Sequence, residues 1–144
     1  LNGHGGNRSS LEVLGQELYS DLGLTFNLIV YWDLAPDLLK SMKKSSAKGM
    51  GHSGEVETSL MLYLAPHLVH LEAFPKGATT DGLHGRGKQI SLEGVKRYVN
   101  IKEHSEIGVD GNPTAASRED GERFYQAVLG ELEKRVRNLQ KLPA

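Results

Sequence analysis

The sequence predicts an α/β protein with a mostly parallel sheet, on three observations. Apolar positions recur at Leu11, Leu14, Leu18 and Leu22, one stripe of an amphipathic helix. Leu28-Ile29-Val30-Tyr31-Trp32 then forms a nearly continuous apolar run, which fits a strand buried on both faces, as in parallel sheets. A glycine loop, Asn2-Gly3-His4-Gly5-Gly6-Asn7, precedes the helix. An apolar strand should lead into that loop, and only Leu1 remains of it, so loop, helix and strand make half of a βαβ unit.

Taken in order, Ser9 and Glu12 have capping-box spacing and start a helix over 9–22 that stops at Gly23. Residues 24–32, rich in β-branched and aromatic side chains, form the predicted strand. A short helix runs from Asp33 or Pro36 to about 43. Lys43-Lys44-Ser45-Ser46-Ala47-Lys48-Gly49 is a polar loop, expected to be mobile and to act as a flap. A helix over 54–65 is ended by Pro66, and Leu68, Val69 and Leu71 form a brief extended piece. The glycine-rich middle, 72–112, holds two short strands near 89–91 and 95–101. A last helix, 117–140, carries Phe124, Val128, Leu132, Val136 and Leu139 on one stripe, with its charges outside it.

A chain of 144 residues is about one domain, or part of one. With 38% hydrophobic and 24% charged residues and a net charge of -1, it has no electrostatic bias toward nucleic acid or anionic membranes. Small neutral or mildly polar ligands suit it better. No stretch approaches the roughly 18 apolar residues of a membrane span, and no signal peptide opens the chain, so a cytoplasmic location is expected. There is no cysteine, so a metal would have to be held by histidine, carboxylate and water, which suits zinc, manganese or iron. The 17 glycines cluster at 3–6, 49–54, 77–87 and 108–111, where shaped loops carry function more readily than regular elements do. Opening on Leu1, without an initiator methionine and directly before a dense motif, the chain has the look of a fragment or processed piece.

Two constellations carry candidate chemistry. His4 is flanked by glycines that let backbone approach an ion closely, and Asn2 and Asn7 can tie the loop through side-chain-to-backbone bonds. The plainer reading is a solvent-exposed turn. In Gly51-His52-Ser53-Gly54-Glu55-Val56-Glu57 a second histidine precedes a glutamate by five residues. Helical spacing puts Glu57 with Leu60, Met61 and Leu64, while Glu55 points about 200° away, toward the surface. An inward Glu57 needs a cation, a donor or a raised pKa. A metal or His52 answers that need, and so does capping a neighbouring loop. Tyr31 and Trp32 fall at a strand's carboxyl end, where α/β proteins bind ligands, and line a substrate pocket or pack in the core. His67 and His70 have the i,i+3 spacing of a metal pair, but Pro66 argues against a continuous helix there and they are read as surface or structural residues; His84 sits in a loop expected to be structural or to cover a pocket or an adjoining subunit, and His104 is read in the same way. Asp110, Asn112, Pro113 and Thr114 shape a turn leading into the last helix.

The NGHGGN loop, H-x-G-E-x-E-T-S-L-M-L some 50 residues later, and Gly108-Val109-Asp110-Gly111-Asn112-Pro113-Thr114 with Ala116 together resemble the creatininase (creatinine amidohydrolase) family. The resemblance runs from Asn2 into the last helix and corresponds to the C-terminal portion of a single family domain, so residues 1–144 are read as that part. It implies a three-layer α/β/α fold whose N-terminal strands are missing here. It also implies a metal-dependent hydrolase of linear or cyclic amides or formamides, with one or two divalent ions and a homo-oligomer such as a hexamer. His4 is then a metal ligand, His52 a substrate-contacting proton carrier, and Glu57 a carboxylate at or beside the metal.

The family's upstream motif, similar to E-x-H-G-x-H-L-P followed by an aspartate, is not in this sequence, so a complete two-metal site is not expected from this chain alone. Creatinine-hydrolysing members have a tyrosine and a metal-binding glutamate where this chain has Gly5 and Gly6, which argues against creatinine as substrate. In such chemistry a divalent ion lowers the pKa of bound water and polarises the carbonyl, while an imidazole moves a proton to the leaving nitrogen. The competing reading is a non-catalytic structural or interaction protein, a truncated relative without a complete metal site.

Overall fold

The structure, a computed structural model, describes residues 1–45, 50–74, 105 and 107–142. Four helices organise them: α1 Arg8–Leu22, α2 Pro36–Met42, α3 Glu55–Leu64 and α4 Arg118–Leu139. All four lie within a residue or two of where periodicity puts them. Single 3-10 turns occupy Gly5–Asn7, Tyr31–Leu34, Pro66–Leu68, Leu71–Ala73 and Pro113–Ala115. The contacts divide into two compact units, Leu1–Pro36 with Ala127–Ala144, and Asp37–Gln126. Among the described residues no helix is long and apolar enough to cross a membrane.

The predicted parallel sheet is not what the described residues form. They contain no strand, only two isolated bridges, a parallel one between Asn2 and Val30 and an antiparallel one between His52 and Asp110. A strand exists through its partner. The Asn2 amide donates to Ile29 O at 2.7 Å and the Tyr31 amide to Asn2 O at 3.3 Å, but the chain then turns at Gly5–Asn7 and the ladder ends. The apolar run also breaks, because Tyr31–Leu34 winds into a 3-10 turn. Of residues 68–71, expected to be extended, Leu68 and Leu71 lie in 3-10 turns, and Val69 between them is extended (φ -101°, ψ 119°). The strands expected at 89–91 and 95–101 lie outside the described residues.

In the first unit, α1 stops at Gly23 (φ 66°), whose amide turns back to Tyr19 O at 3.0 Å. The capping box does not form: Asn7, not Ser9, holds the N-cap position, and its side chain bonds Asn2 instead of the helix. Among the described residues of this unit, Val30 is the buried apolar one.

In the second unit Met42, Met50, Val56 and Phe124 are buried. α3 and the start of α4 meet where Gly121 faces Ser59; a Cβ added at Gly121 would lie 1.9 Å from Ser59 O, so only glycine permits this approach. Ser59 Oγ donates to Glu55 O at 2.5 Å and accepts the Ser117 amide hydrogen at 3.0 Å. Ser117 Oγ in turn accepts from the Asp120 amide at 3.1 Å, capping α4.

This seam reverses the face assigned to α3 from its apolar spacing. Val56, Ser59 and Glu55 are buried, whereas Met61 and Leu64 are 38% and 52% exposed. Glu57 is half-buried at the margin.

Candidate functional site

The His4 loop is built on Asn2, which is 4% exposed. Asn2 Nδ2 donates to His4 O at 2.8 Å, and Asn2 Oδ1 accepts the His4 amide hydrogen and Asn7 Nδ2, each at 3.3 Å. One buried amide therefore holds the backbone on both sides of the histidine. The imidazole is exposed, and its Nδ1 accepts the Gly6 amide hydrogen at 3.1 Å. A Cβ on Gly3 would come within 4.0 Å of the Tyr31 ring, and one on Gly5 within 3.9 Å of the Trp32 ring. The two rings meet edge to face at 5.1 Å. His4, Tyr31 and Trp32 thus belong to one neighbourhood of the first unit.

His52 and Glu57 belong to the second. His52 is exposed, but its backbone is fixed by two bonds to Asp110, N to O at 2.8 Å and O from N at 2.7 Å. Gly51 (φ 75°) and Ser53 (φ 51°) bracket it in left-handed conformations, and for serine that region is strained. The Ser53 amide donates to Glu57 Oε2 at 2.5 Å. Glu57 is therefore paired with a loop amide, the capping alternative, rather than with the His52 ring.

Glu55, taken from the sequence as a surface charge, is the most heavily bonded carboxylate of the described residues and is 3% exposed. Oε1 accepts from the Lys44 amide at 2.7 Å, the Ser45 amide at 2.9 Å and Ser45 Oγ at 2.8 Å, and Oε2 accepts from the Asn112 amide at 2.7 Å. Burial pushes its pKa up, but the bonds from Asn112, its own backbone, Lys44 and Ser45 outweigh that and hold the carboxyl at about 2. The same knot needs Gly111 (φ 140°), where a Cβ would lie 2.8 Å from Gly54 Cα. Sequence reasoning missed Glu55 because its donors, Lys44, Ser45 and Asn112, lie outside α3; its one local mark is its place directly after the glycine loop that ends at Gly54. The turn predicted at 110–114 is present, with Asn112 Oδ1 accepting from the Thr114 amide at 3.2 Å and Thr114 Oγ1 at 2.7 Å.

The described residues do not by themselves fit a metal ion. No group of three or more histidines and carboxylates converges among them. In the neutral ring, a His4 Nδ1 that accepts an amide hydrogen leaves the ring proton on Nε2, so neither nitrogen offers a free lone pair until the Gly6 bond opens. His67 and His70 do not form a helical pair, since the 3-10 turn that holds His67 ends at Leu68, and His70 instead pairs with Glu72 at 3.0 Å. His84 and His104 lie outside the described residues.

Each unit presents one exposed imidazole on a loop of fixed backbone, and comparison with known proteins gives the family. Residues 1–136 match the family model Creatininase, creatinine amidohydrolase. The chain belongs to the creatininase family. Among curated proteins it is similar to the mycofactocin precursor peptide peptidase of Mycobacterium tuberculosis (strain CDC 1551 / Oshkosh), 32% identical over 88 residues, which is 61% of this chain and 32% of that protein. The protein of the same description from Mycobacterium ulcerans (strain Agy99) is 26% identical over 139 residues, 94% of this chain and 46% of that protein. The chain thus spans less than half the length of these relatives. Among solved structures, one titled "Creatininase Mn" superposes with a TM-score of 0.62 at 21% identity, covering 94% of this chain and 51% of that one. A mutant creatininase of Zn-Zn type gives 0.59 at 22% identity over 95% and 50%. At those identities the likeness is one of fold.

Proposed function

We propose that this chain is the C-terminal part of a single-domain, divalent-metal-dependent hydrolase that cleaves the C–N bond of a small linear or cyclic amide or formamide. The observation that carries this reading is the family match over 1–136, which includes both imidazole loops. The manganese and Zn-Zn forms among the structural relatives support a divalent ion. His4 contributes one ligand nitrogen once its Gly6 bond opens, and the remaining ligands come from outside the described residues. His52, on a backbone pinned to Asp110, carries a proton to the departing nitrogen, since imidazole titrates in the range that task needs. Glu57 supplies a carboxylate beside it, and Tyr31 and Trp32 wall the substrate near the His4 loop. Exposed Tyr19 (69%) and Leu22 (65%) on α1 offer apolar surface to a second copy in a homo-oligomer.

The test is metal analysis of the natural protein containing this stretch, alongside the H4A variant. About one bound zinc, manganese or iron per chain, lost together with amide hydrolysis in H4A, supports the reading. Trace metal only in the natural protein sinks it. The competing reading is a non-catalytic relative that keeps the scaffold, and that same trace result would favour it.

A further inference from the structure

In the second unit a cleft of about 430 Å3 lies between α3, the turns at 66–74 and the segment 107–113. Its wall is mostly apolar, with Met61, Leu68, Val69, Leu71, Phe74 and Ile107 among its residues. Leu68 and Ile107 are 60% and 41% exposed. A single exposed apolar side chain is ordinary. Several converging on one concavity, of a size within the ~300–1,000 Å3 of small-molecule sites, are not.

The polar groups of the cleft are few. Among the described residues no lysine or arginine lines it, and His70 is already held by Glu72. Glu57 is the one carboxylate among the described residues of its wall. One Glu57 oxygen takes the Ser53 amide hydrogen, and the other has no hydrogen-bond partner among the described residues. We propose that this cleft is a binding subsite for a small apolar amine, its apolar body against Met61, Leu68 and Ile107 and its ammonium or N–H group on the free Glu57 oxygen. Charge complementarity selects this occupant, because a carboxylate accepts an N–H and repels an anion placed at the same point. That the bound amine corresponds to the nitrogen side of a substrate rests on the hydrolase reading above; the binding itself does not.

The experiment titrates 2-phenylethylammonium and 3-phenylpropionate, which share an aryl-ethyl body and differ in charge, into the metal-free protein while following side-chain methyl NMR signals. The ammonium should bind at least about threefold more tightly than the carboxylate, the size of a partly exposed ion pair. The shifts should fall on Met61, Leu68 and Ile107. E57Q should level the two affinities, and L68A, at an exposed position that leaves the core intact, should weaken both. Equal affinities in the unaltered protein, no binding of either probe, shifts confined elsewhere, or a preference that survives E57Q would overturn the subsite. Because no metal or turnover enters, cleft binding without metal uptake would sink the hydrolase reading alone, and turnover without cleft shifts would sink the subsite alone.

Discussion

The Asn112 amide donates to Glu55 Oε2 at 2.7 Å, closing a contact between residues 57 positions apart. Since the other Glu55 oxygen holds the Lys44 and Ser45 amides, one carboxylate fastens the end of α2, the head of α3 and the loop before α4. His52 stands beside this knot, bridged to Asp110 two residues from Asn112.

The knot makes stability acid-sensitive in a defined window. A carboxyl whose folded pKa of about 2 lies below its ordinary 4.5 contributes stability that is complete above pH 4.5 and lost as pH falls toward 2. The displacement corresponds to about 3 kcal/mol at neutral pH. E55Q should lower stability at pH 7 by about 2–3 kcal/mol and flatten the loss between those pH values, as read by urea denaturation across the range. An unchanged acid slope in E55Q would show that other carboxylates carry it.

The contact of α3 with α4 predicts opposite outcomes for one substitution at two places on the same helix. G121A drives a methyl to 1.9 Å from Ser59 O, backbone that cannot swing aside, and should cost about 3 kcal/mol or prevent folding. At Gly130 an added Cβ meets nothing within 4 Å, so G130A should gain up to about 1 kcal/mol from helix propensity. Thermal melts of the two variants check the pair, and similar shifts would place α4 differently.

Asn2 is predicted to govern the His4 loop without touching the ring. N2A removes the donor to His4 O and the acceptor for the His4 amide and Asn7 Nδ2. Leaving those partners unsatisfied should cost about 2 kcal/mol and speed amide hydrogen exchange at His4. N2D, which retains an acceptor oxygen but not the donor, should fall between. Unaltered exchange at His4 in N2A would mean that the loop is held by other groups.

What the sequence disclosed follows from the range of each interaction. α1, α3 and α4 were legible because a helix's bonds are local and its 3.6-residue rhythm shows in Leu11, Leu14 and Leu18 or in Phe124, Val128 and Leu132. The sheet was not, because Leu28–Trp32 has β composition whether or not a neighbour pairs with it, and among the described residues only Asn2 does. Asn2 as a tie of the His4 loop was readable, since asparagine bonds backbone within a few residues. Glu55 was not: apolar spacing alone put the neighbouring face of α3 inward, and the donors that allow a carboxylate to be buried come from Lys44, Ser45 and Asn112.

The last prediction concerns the strain beside His52. Ser53 holds a left-handed φ of 51° while its amide binds Glu57 Oε2 and its carbonyl accepts from Thr58 Oγ1 at 3.3 Å. Those bonds need the backbone, not the side chain, so S53G should keep them and relieve strain of about 1 kcal/mol, partly offset by the entropy that glycine loses on folding. S53V, whose branched Cβ tolerates this region least, should cost about 2 kcal/mol and release Glu57. Denaturation midpoints together with amide exchange at residue 53 distinguish the two. If S53V is as stable as S53G and equally protected, the residue is not left-handed in solution, and the bond that fixes Glu57 at the cleft falls with it.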